Sequence, residues 1–343
     1  MSNNFIRYDN TYRIKSFGAE RNILSGAMQR LSALLCLALL SACTGNLSRG
    51  GASAADTTSV SAVQELRLEV PVPPAMFSDS AQLEFVGEHY WDNFHYADTA
   101  WIADTTALER AFAGWARVLK RLPPEQASAL SGRLISRAES TPAMLLRLSE
   151  TAERFFDEVN SPYRDEDLYI PVLEAVLASQ TIDTIYKVRP RAQLASAMKN
   201  RPGMKAADFV YTQGDGRTGR LYGLAAEYTL LMFYEPDCPN CAAVERHVVA
   251  SDNFARLTET GRLKVLAVYP GGETELWREH LPKMPSGWTV GRDAQRVIDH
   301  SELYDIRATP SLYLLDRSKR VILKDARVDI VERYIVEKLN DRI

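Results

Sequence analysis

The chain has 343 residues, of which 46% are hydrophobic, as expected for a globular protein with room for two domains of ordinary size. Its 41 basic and 44 acidic side chains give a formal net charge of -3, which argues against a nucleic-acid partner or a polybasic membrane patch. The cysteines are Cys36, Cys43, Cys238 and Cys241, too few for the disulfide framework of a small secreted domain.

The first apolar segment, residues 31–40, follows a basic residue and is too short to span a bilayer comfortably. We interpret it as the hydrophobic region of a signal peptide that covers residues 28–42. Translation is then expected to start at Met28, and residues 1–27 are predicted to be an extension from a wrongly placed gene start. The alternative is that residues 31–40 belong to a core helix.

The next four residues, Leu40, Ser41, Ala42 and Cys43, resemble the lipobox of bacterial lipoproteins. The resemblance implies that Cys43 carries a lipid and becomes the first residue after cleavage; in the alternative it is an ordinary cysteine. Residues 43–65 are rich in small and polar side chains and are expected to form a flexible tether. A lipid anchor on such a tether would hold the protein on a membrane without crossing it.

Residues 66–200 are predicted to form an all-α domain of about four to six helices with no catalytic signature. One helix shows its apolar face at Leu108, Ala111, Phe112, Trp115, Val118 and Leu119. Thr106 and Glu109 predict a capping box before that face. Thr141–Pro142 and Ser161–Pro162 predict two further helix starts, each an N-cap followed by a proline.

Aromatic side chains are concentrated in residues 89–96. Such a density favours a packing seam over a recognition surface. His89 and His95 are six positions apart, which does not place them on one helical face for a metal, and no cysteine lies near them. We therefore predict no ligand or metal site in this segment.

Residues 201–343 change to strands alternating with helices, which predicts an α/β domain. The predicted strands are residues 228–234, 264–269, 311–315 and 321–323, and the last helix covers about 329–339. The first two strands are nearly continuous apolar runs, so we expect them to pair in parallel and to be covered on both faces.

Cys238 and Cys241 lie between the first predicted strand and the helical sequence that follows. At a helix N-terminus, free backbone amides and the helix dipole stabilise a thiolate, so the first cysteine can attack and the second can resolve a mixed disulfide. A zinc site lacks further ligands, and a static disulfide would close too short a loop to contribute much stability. His247 is interpreted as a surface or packing residue rather than a base.

A second motif, Thr309–Pro310, stands directly before the third predicted strand. A proline that opens a strand is a position where a cis peptide bond is tolerated. The order of strand, CxxC at a helix start, further strands and helices, and then this proline resembles the thioredoxin fold. Residues 203–210 and 214–216 resemble the N-terminal extension of the TlpA/ResA family of envelope thioredoxin-like proteins.

The resemblance covers about residues 201–343 and implies a role for each motif. Cys238 would be the exposed attacking thiol and Cys241 the buried resolving thiol, while Thr309 and Pro310 would lie opposite them and pair with substrate backbone. In the preceding region, residues 90–94 and 160–163 resemble an uncharacterised module found before thioredoxin domains in some bacterial envelope lipoproteins. That second resemblance implies an architecture but no activity.

Two positions depart from thioredoxin itself. Asp237 stands where a tryptophan precedes the first cysteine, and its charge should disfavour a neighbouring thiolate. Met232 stands where thioredoxin has a buried aspartate, so a proton acceptor for Cys241 is missing there. Glu235 is the predicted replacement, provided that its carboxylate points inward.

The sequence thus predicts an enzyme of the bacterial envelope that exchanges disulfides in proteins, with reduction favoured over oxidation by the family resemblance. It would need no bound cofactor and no metal, and its electrons would come from a membrane-embedded donor. The main alternative is a binding protein in which the helical domain holds an envelope partner and the thioredoxin fold is a scaffold. A thiol peroxidase is disfavoured because the threonine and arginine that poise a peroxidatic cysteine do not accompany Cys238.

Overall fold

The computed structural model describes residues 66–271 and 274–340. The predicted N-terminal extension, the signal peptide, the tether and the lipidation site at Cys43 lie outside the described residues. All of the residues that the structure describes belong to one compact unit, Val63–Ile343.

The first part of the unit is helical, as predicted. Seven α-helices occur before the first strand of the described chain: α1 Asp79–His89, α2 Ala100–Ala103, α3 Thr105–Leu119, α4 Pro124–Arg137, α5 Pro142–Phe156, α6 Glu166–Ala178 and α7 Val188–Ala197. The prediction of four to six was too low, in part because a four-residue helix such as α2 is too short to show a helical period. None of the helices in the described ranges is long and apolar enough to cross a membrane.

Helix starts follow the sequence signals only in part. Helix α5 begins at Pro142 after Thr141, as predicted. The capping box was wrong, because the side chain of Asp104 caps α3 by accepting the Ala107 amide at 2.9 Å. The start at Ser161–Pro162 was also wrong, since that pair lies in the loop before α6.

The predicted aromatic seam is confirmed as packing. Trp91 and Phe94 are each 4% exposed and lie in the core of the helical part. The Trp91 ring contacts the rings of Phe94 and Trp115, with centroid separations of 5.2 and 5.7 Å. Edge-to-face pairs of this kind add to the stability supplied by area burial.

The second part is a seven-stranded mixed sheet of order β2-β1-β5-β4-β3-β6-β7. Its strands are β1 Val210–Gln213, β2 Thr218–Arg220, β3 Tyr228–Phe233, β4 Leu263–Tyr269, β5 Thr289–Arg292, β6 Ser311–Leu315 and β7 Val321–Leu323. Its helices are α8 Pro239–Ala250, α9 Asp252–Glu259, α10 Thr274–His280, α11 Val297–His300 and α12 Val328–Asn340. The four predicted strands and the last helix are confirmed, and β1, β2 and β5 are additional.

The centre of the sheet is buried on both faces. Strands β3 and β4 pair in parallel, as predicted, and β6 pairs with β3 in the antiparallel direction. Successive side chains of β3 enter opposite cores: Leu230 and Met232 pack under α8 and α12, and Leu231 and Phe233 pack on the other face. The α8 N-terminus is therefore fixed at the carboxyl end of a central strand.

Charged side chains join the helical and α/β parts. The guanidinium of Arg307 pairs with the carboxylate of Asp157, and Lys324 pairs with Glu166 at 2.9 Å. The Lys324 side chain is only 4% exposed and also donates to the Ala197 carbonyl at 2.8 Å. The Arg307–Asp157 pair brings the loop after α5 close to the segment before β6, and the Lys324 contacts join α6 and α7 to the residues after β7.

Candidate active site

Cys238 is the N-cap of α8, and its backbone is extended, with φ -81° and ψ 115°. Its sulfur accepts the amide N–H of Cys241 at 3.2 Å. Cys238 is half-buried, whereas Cys241 is 2% exposed, and both are free thiols in this structure. The pair thus offers one sulfur to solvent and keeps the other behind it, which is the arrangement that the family resemblance implies.

The loop before β6 lies against the first cysteine. The Thr309–Pro310 peptide bond is cis. The thiol of Cys238 donates to the Thr309 carbonyl at 3.6 Å, and the Thr309 hydroxyl lies 3.8 Å from the Cys238 sulfur. The fold therefore brings together two motifs that are 71 positions apart in the chain.

Burial dominates the chemistry of the second cysteine. Desolvation, with a smaller contribution from hydrogen bonding to Cys238, raises the pKa of Cys241 to about 12. At pH 7, such a thiol is almost entirely protonated. Cys241 can therefore resolve a mixed disulfide efficiently only if a nearby group accepts its proton.

The expectation that Glu235 supplies this acceptor is wrong. The Glu235 side chain is exposed, and only backbone atoms of this residue approach the dithiol. Its carbonyl accepts the Cys238 amide at 3.3 Å, and a backbone hydrogen bond from Glu235 lowers the pKa of Cys241. Asp237 is also exposed and adopts φ 59°, and its carboxylate lies 3.9 Å from the Lys283 ammonium. Met232 is fully buried, so no carboxylate occupies the thioredoxin position.

A second carboxylate that the sequence analysis did not consider is Glu245, which lies four positions after Cys241 on α8. That spacing places both side chains on one face of the helix. Its Oε1 is buried and has no hydrogen-bond partner among the described residues. Burial raises the pKa of Glu245, and the charges of His280 and Arg246 only partly oppose the rise.

Other polar groups surround this carboxylate. Both ring nitrogens of His280 are buried and have no hydrogen-bond partner within the part of the chain that is described. The Tyr234 ring is tilted by 35° to that ring, with centroids 5.9 Å apart, and its hydroxyl accepts the indole N–H of Trp277 at 2.9 Å. Burial raises the pKa of the Tyr234 phenol, and the charges of Glu245 and Cys241 add to the rise.

A groove with a volume of about 700 Å³ opens beside the dithiol. Its lining includes Asn240 between the cysteines and Pro310 in the facing loop. His247 also faces it, and the imidazole bonds to the Glu332 carboxylate at 2.7 Å. The described residues contain no group of three or more histidine, cysteine or acidic side chains placed to hold a metal ion.

The helical part and the residues directly before it match a known protein family by sequence. Residues 43–200 match a family described as a domain of unknown function, DUF5106. This agrees with the predicted module of uncharacterised role that precedes the α/β domain. No curated protein matches the sequence.

Comparison with solved structures gives matches that differ in how much of the chain they cover. The chain is similar to a thioredoxin-like protein from Bacteroides caccae, with 36% identity, a TM-score of 0.77, and coverage of 79% of this chain and 98% of the other. It is also similar to the C-terminal domain of an uncharacterized protein from Bacteroides fragilis, with 44% identity, a TM-score of 0.39, and coverage of 40% of this chain and 98% of that domain. A domain of a possible thiol-disulfide isomerase from Cytophaga hutchinsonii has 28% identity and a TM-score of 0.38, with 42% of this chain and 97% of that domain covered. The first match extends over more of the chain than the helical or the α/β part alone.

Proposed function

We propose, from the premise that this chain belongs to the thioredoxin-like proteins, that it is a thiol-disulfide oxidoreductase that reduces protein disulfides in the bacterial envelope. The observation that carries the proposal is the arrangement of three groups. Cys238 is accessible at a helix N-terminus, Cys241 is buried behind it, and Thr309 faces it across the active site.

The proposed reaction has two exchange steps. The Cys238 thiolate attacks one sulfur of a substrate disulfide, which forms a mixed disulfide and releases the other substrate sulfur as a thiolate that takes up a proton. Cys241 then loses its proton and attacks the Cys238 sulfur, which releases the second substrate thiol. Two electrons pass to the substrate, and the protein is left with a Cys238–Cys241 disulfide.

The second step depends on a proton acceptor because burial keeps Cys241 protonated at neutral pH. We assign this role to Glu245, whose buried Oε1 is free to accept a proton and whose raised pKa brings it closer to the pKa of the donor. Tyr234, whose pKa is raised by the charges of both groups, fits as a link between them.

The location in the envelope is supported by the sequence at the N-terminus. A signal peptide at residues 28–42 and lipidation of Cys43 would place the protein on a membrane, with the tether leading to the folded unit. The substrates would be envelope proteins with disulfides. An oxidising compartment supplies no reduced thiol buffer, so a membrane-embedded donor would have to return electrons to the Cys238–Cys241 disulfide, with no bound cofactor in this chain.

The experiment that tests the proposal is a redox equilibrium between the full chain and glutathione, followed by alkylation of free thiols and mass spectrometry. A midpoint more reducing than that of glutathione is expected for a reductase. A more oxidising midpoint would overturn the direction of electron flow. The absence of reversible exchange would overturn the enzymatic function and favour a binding protein built on the thioredoxin fold.

The two cysteines are distinguished by single variants. Cys241→Ser is expected to accumulate a mixed disulfide with glutathione, because the attacking thiol remains and the resolving thiol is gone. Cys238→Ser is expected to form almost none, because the buried Cys241 is protonated. Equal trapping by both variants would contradict the assigned order of attack.

A further inference from the structure

The groove beside the dithiol has walls from both parts of the molecule. The α/β part contributes Val244 of α8, Pro310 and Val328 at the start of α12. The helical part contributes Val159 and Arg164, which belong to the loop between α5 and α6. A polypeptide that reaches Cys238 along this groove therefore meets the helical part as well.

The helical wall is attached to the active-site loop itself. Asp157, at the start of the wall, pairs with Arg307, which lies only two positions before Thr309. Arg164, at its end, pairs with Asp325 at 2.6 Å. Both ends of residues 157–164 are thus held by side chains of the α/β part, while Val159 between them remains 42% exposed.

Charges in the groove are paired within the protein. Arg164 bonds to Asp325, and Arg327 bonds to Asp329 at 2.9 Å. Apart from Asn240 and His247, the remaining lining is apolar and includes Val159, Val244, Leu312 and Val328. A charged ligand would have to compete with the Arg164–Asp325 pair, whose side chains are 22% and 18% exposed, whereas an apolar side chain can bury area without such a loss.

We propose that residues 157–164 form the second wall of a substrate groove, and that this groove binds an extended segment of uncharged, apolar side chains next to the substrate disulfide. The inference rests on the proposed function and deepens it, because it assigns substrate selection to the helical part. Extended segments bind through their backbone, and the side-chain pockets along the groove give specificity.

The test uses pre-reduced full chain in single-turnover reduction of two peptides, each with one intramolecular disulfide. One peptide carries valine and leucine beside the cysteines, and the other carries glutamate at the same positions. The unmodified protein is expected to half-saturate at about a tenfold lower concentration of the apolar peptide. Val159→Asp is expected to abolish that preference by raising the half-saturation concentration for the apolar peptide about tenfold, with the limiting rate unchanged.

Three comparisons make the outcome decisive. Val188→Asp places the same charge on an exposed valine of the helical part that does not line the groove, and it should leave both peptides unaffected. Val159→Ala should shift the half-saturation concentration in the same direction as Val159→Asp but less. Reduction of glutathione disulfide, which is too small to span the groove, should change less than twofold in all variants.

The inference and the proposed function fail differently. If the unmodified protein reduces glutathione disulfide and both peptides, but Val159→Asp and Val159→Ala keep its peptide preference, the groove assignment is wrong and the enzymatic function stands. An equal effect of Val188→Asp would also overturn the assignment. If the unmodified protein reduces none of the three disulfides, the proposed function fails and the groove assignment fails with it.

Discussion

Two glutamates close to the dithiol in the chain have opposite environments. Glu235 follows β3 and is exposed, whereas Glu245 lies one helical turn beyond Cys241 with a buried, unpaired oxygen. A carboxyl group in water is too acidic to take a proton from a buried thiol with useful frequency. Desolvation makes the carboxylate a stronger base, and it is Glu245 that is desolvated.

Replacing Glu245 should slow the resolution of the mixed disulfide without lowering the stability of the fold. Glu245→Gln is expected to slow resolution of the mixed disulfide by about 100-fold, the lower end of the usual contribution of general base catalysis. Because burial raises the pKa of Glu245, its favourable contribution to stability is complete below the unfolded value near pH 4.3 and is lost as pH rises through the folded pKa. The glutamine variant should therefore be at least as stable as the parent at pH 7, as measured by urea unfolding.

The matched control is Glu235→Gln, which removes the same charge on the exposed side of the dithiol. It should leave the resolution rate within about twofold, measured by quenching a preformed mixed disulfide at successive times. If Glu235→Gln slows resolution more than Glu245→Gln does, the proton acceptor has been assigned to the wrong carboxylate.

The site was predictable from sequence where local pattern determines position. A CxxC between a buried strand and a helix places Cys238 at the N-cap, because that helix can begin only after the strand ends. The spacing of Cys241 and Glu245 also carried a signal, since residues four apart share a helical face. No sequence signal indicated that His280 of α10 lies near Glu245 of α8, because tertiary packing alone brings these two helices together.

At the scale of elements, strands with apolar sequences were predictable, including β7 at the edge of the sheet, and strands with more polar sequences were not. All six residues of β3 are buried, and its sequence is an apolar run interrupted only by Thr229. Strand β2 has three residues, Thr218, Gly219 and Arg220, with both ends exposed. So short and polar a segment shows no period, and its place in the sheet follows from pairing with β1.

The last helix is tied to the region after the dithiol by one carboxylate. Glu332 of α12 accepts hydrogen bonds from Ser251, from Asn253 at 2.9 Å and from the ring of His247 at 2.7 Å. The bonds from Ser251 and Asn253 lower the pKa of Glu332 more than burial raises it, and His247 adds to the effect. One side chain therefore connects α12 with the α8–α9 junction.

This connection predicts a loss of stability in acid. The folded pKa of Glu332 lies below its unfolded value, so its contribution is present above about pH 4.3 and is lost as pH falls through the folded pKa. Glu332→Gln should cost about 1 kcal/mol at pH 7, allowing for partial solvent screening, and should lose less stability than the parent below pH 4. Urea unfolding at both pH values measures the difference.

A second glutamate on the same helix provides the control. Glu337 is exposed, and Glu337→Gln removes the same charge from α12 without touching the α8–α9 junction. It should change the free energy of unfolding by less than about 0.5 kcal/mol at either pH. An equal loss in both variants would show that helix charge, and not the Glu332 hydrogen bonds, stabilises α12.

For the molecule as a whole, the helical and α/β parts form one compact unit joined by partly buried charges. Arg307 bonds to Asp157 in the helical part and to Asp305 at 2.8 Å in its own part. Burial disfavours its charge, but the hydrogen bonds and charges of the two aspartates outweigh burial and raise the pKa of Arg307 further. Arrangements of this kind are costly to break, because the remaining carboxylates stay buried without a partner.

Arg307→Gln is therefore expected to destabilise the protein by about 3 kcal/mol, since the side chains of Asp157 and Asp305 are only 10% and 13% exposed. It should also raise the half-saturation concentration for disulfide peptides, because Arg307 holds the loop that carries Thr309.

The control is Arg189→Gln, which breaks an ion pair whose arginine side chain is 75% exposed. This variant should lower the free energy of unfolding by less than about 1 kcal/mol. Urea unfolding measures the change in the free energy of unfolding, and hydrogen exchange measures the protection of backbone amides in the helical part and in the α/β part separately. If the two parts unfold cooperatively, Arg307→Gln lowers the protection of amides in both parts. A loss of protection confined to α5 and α6 would mean that the helical part unfolds independently of the α/β part.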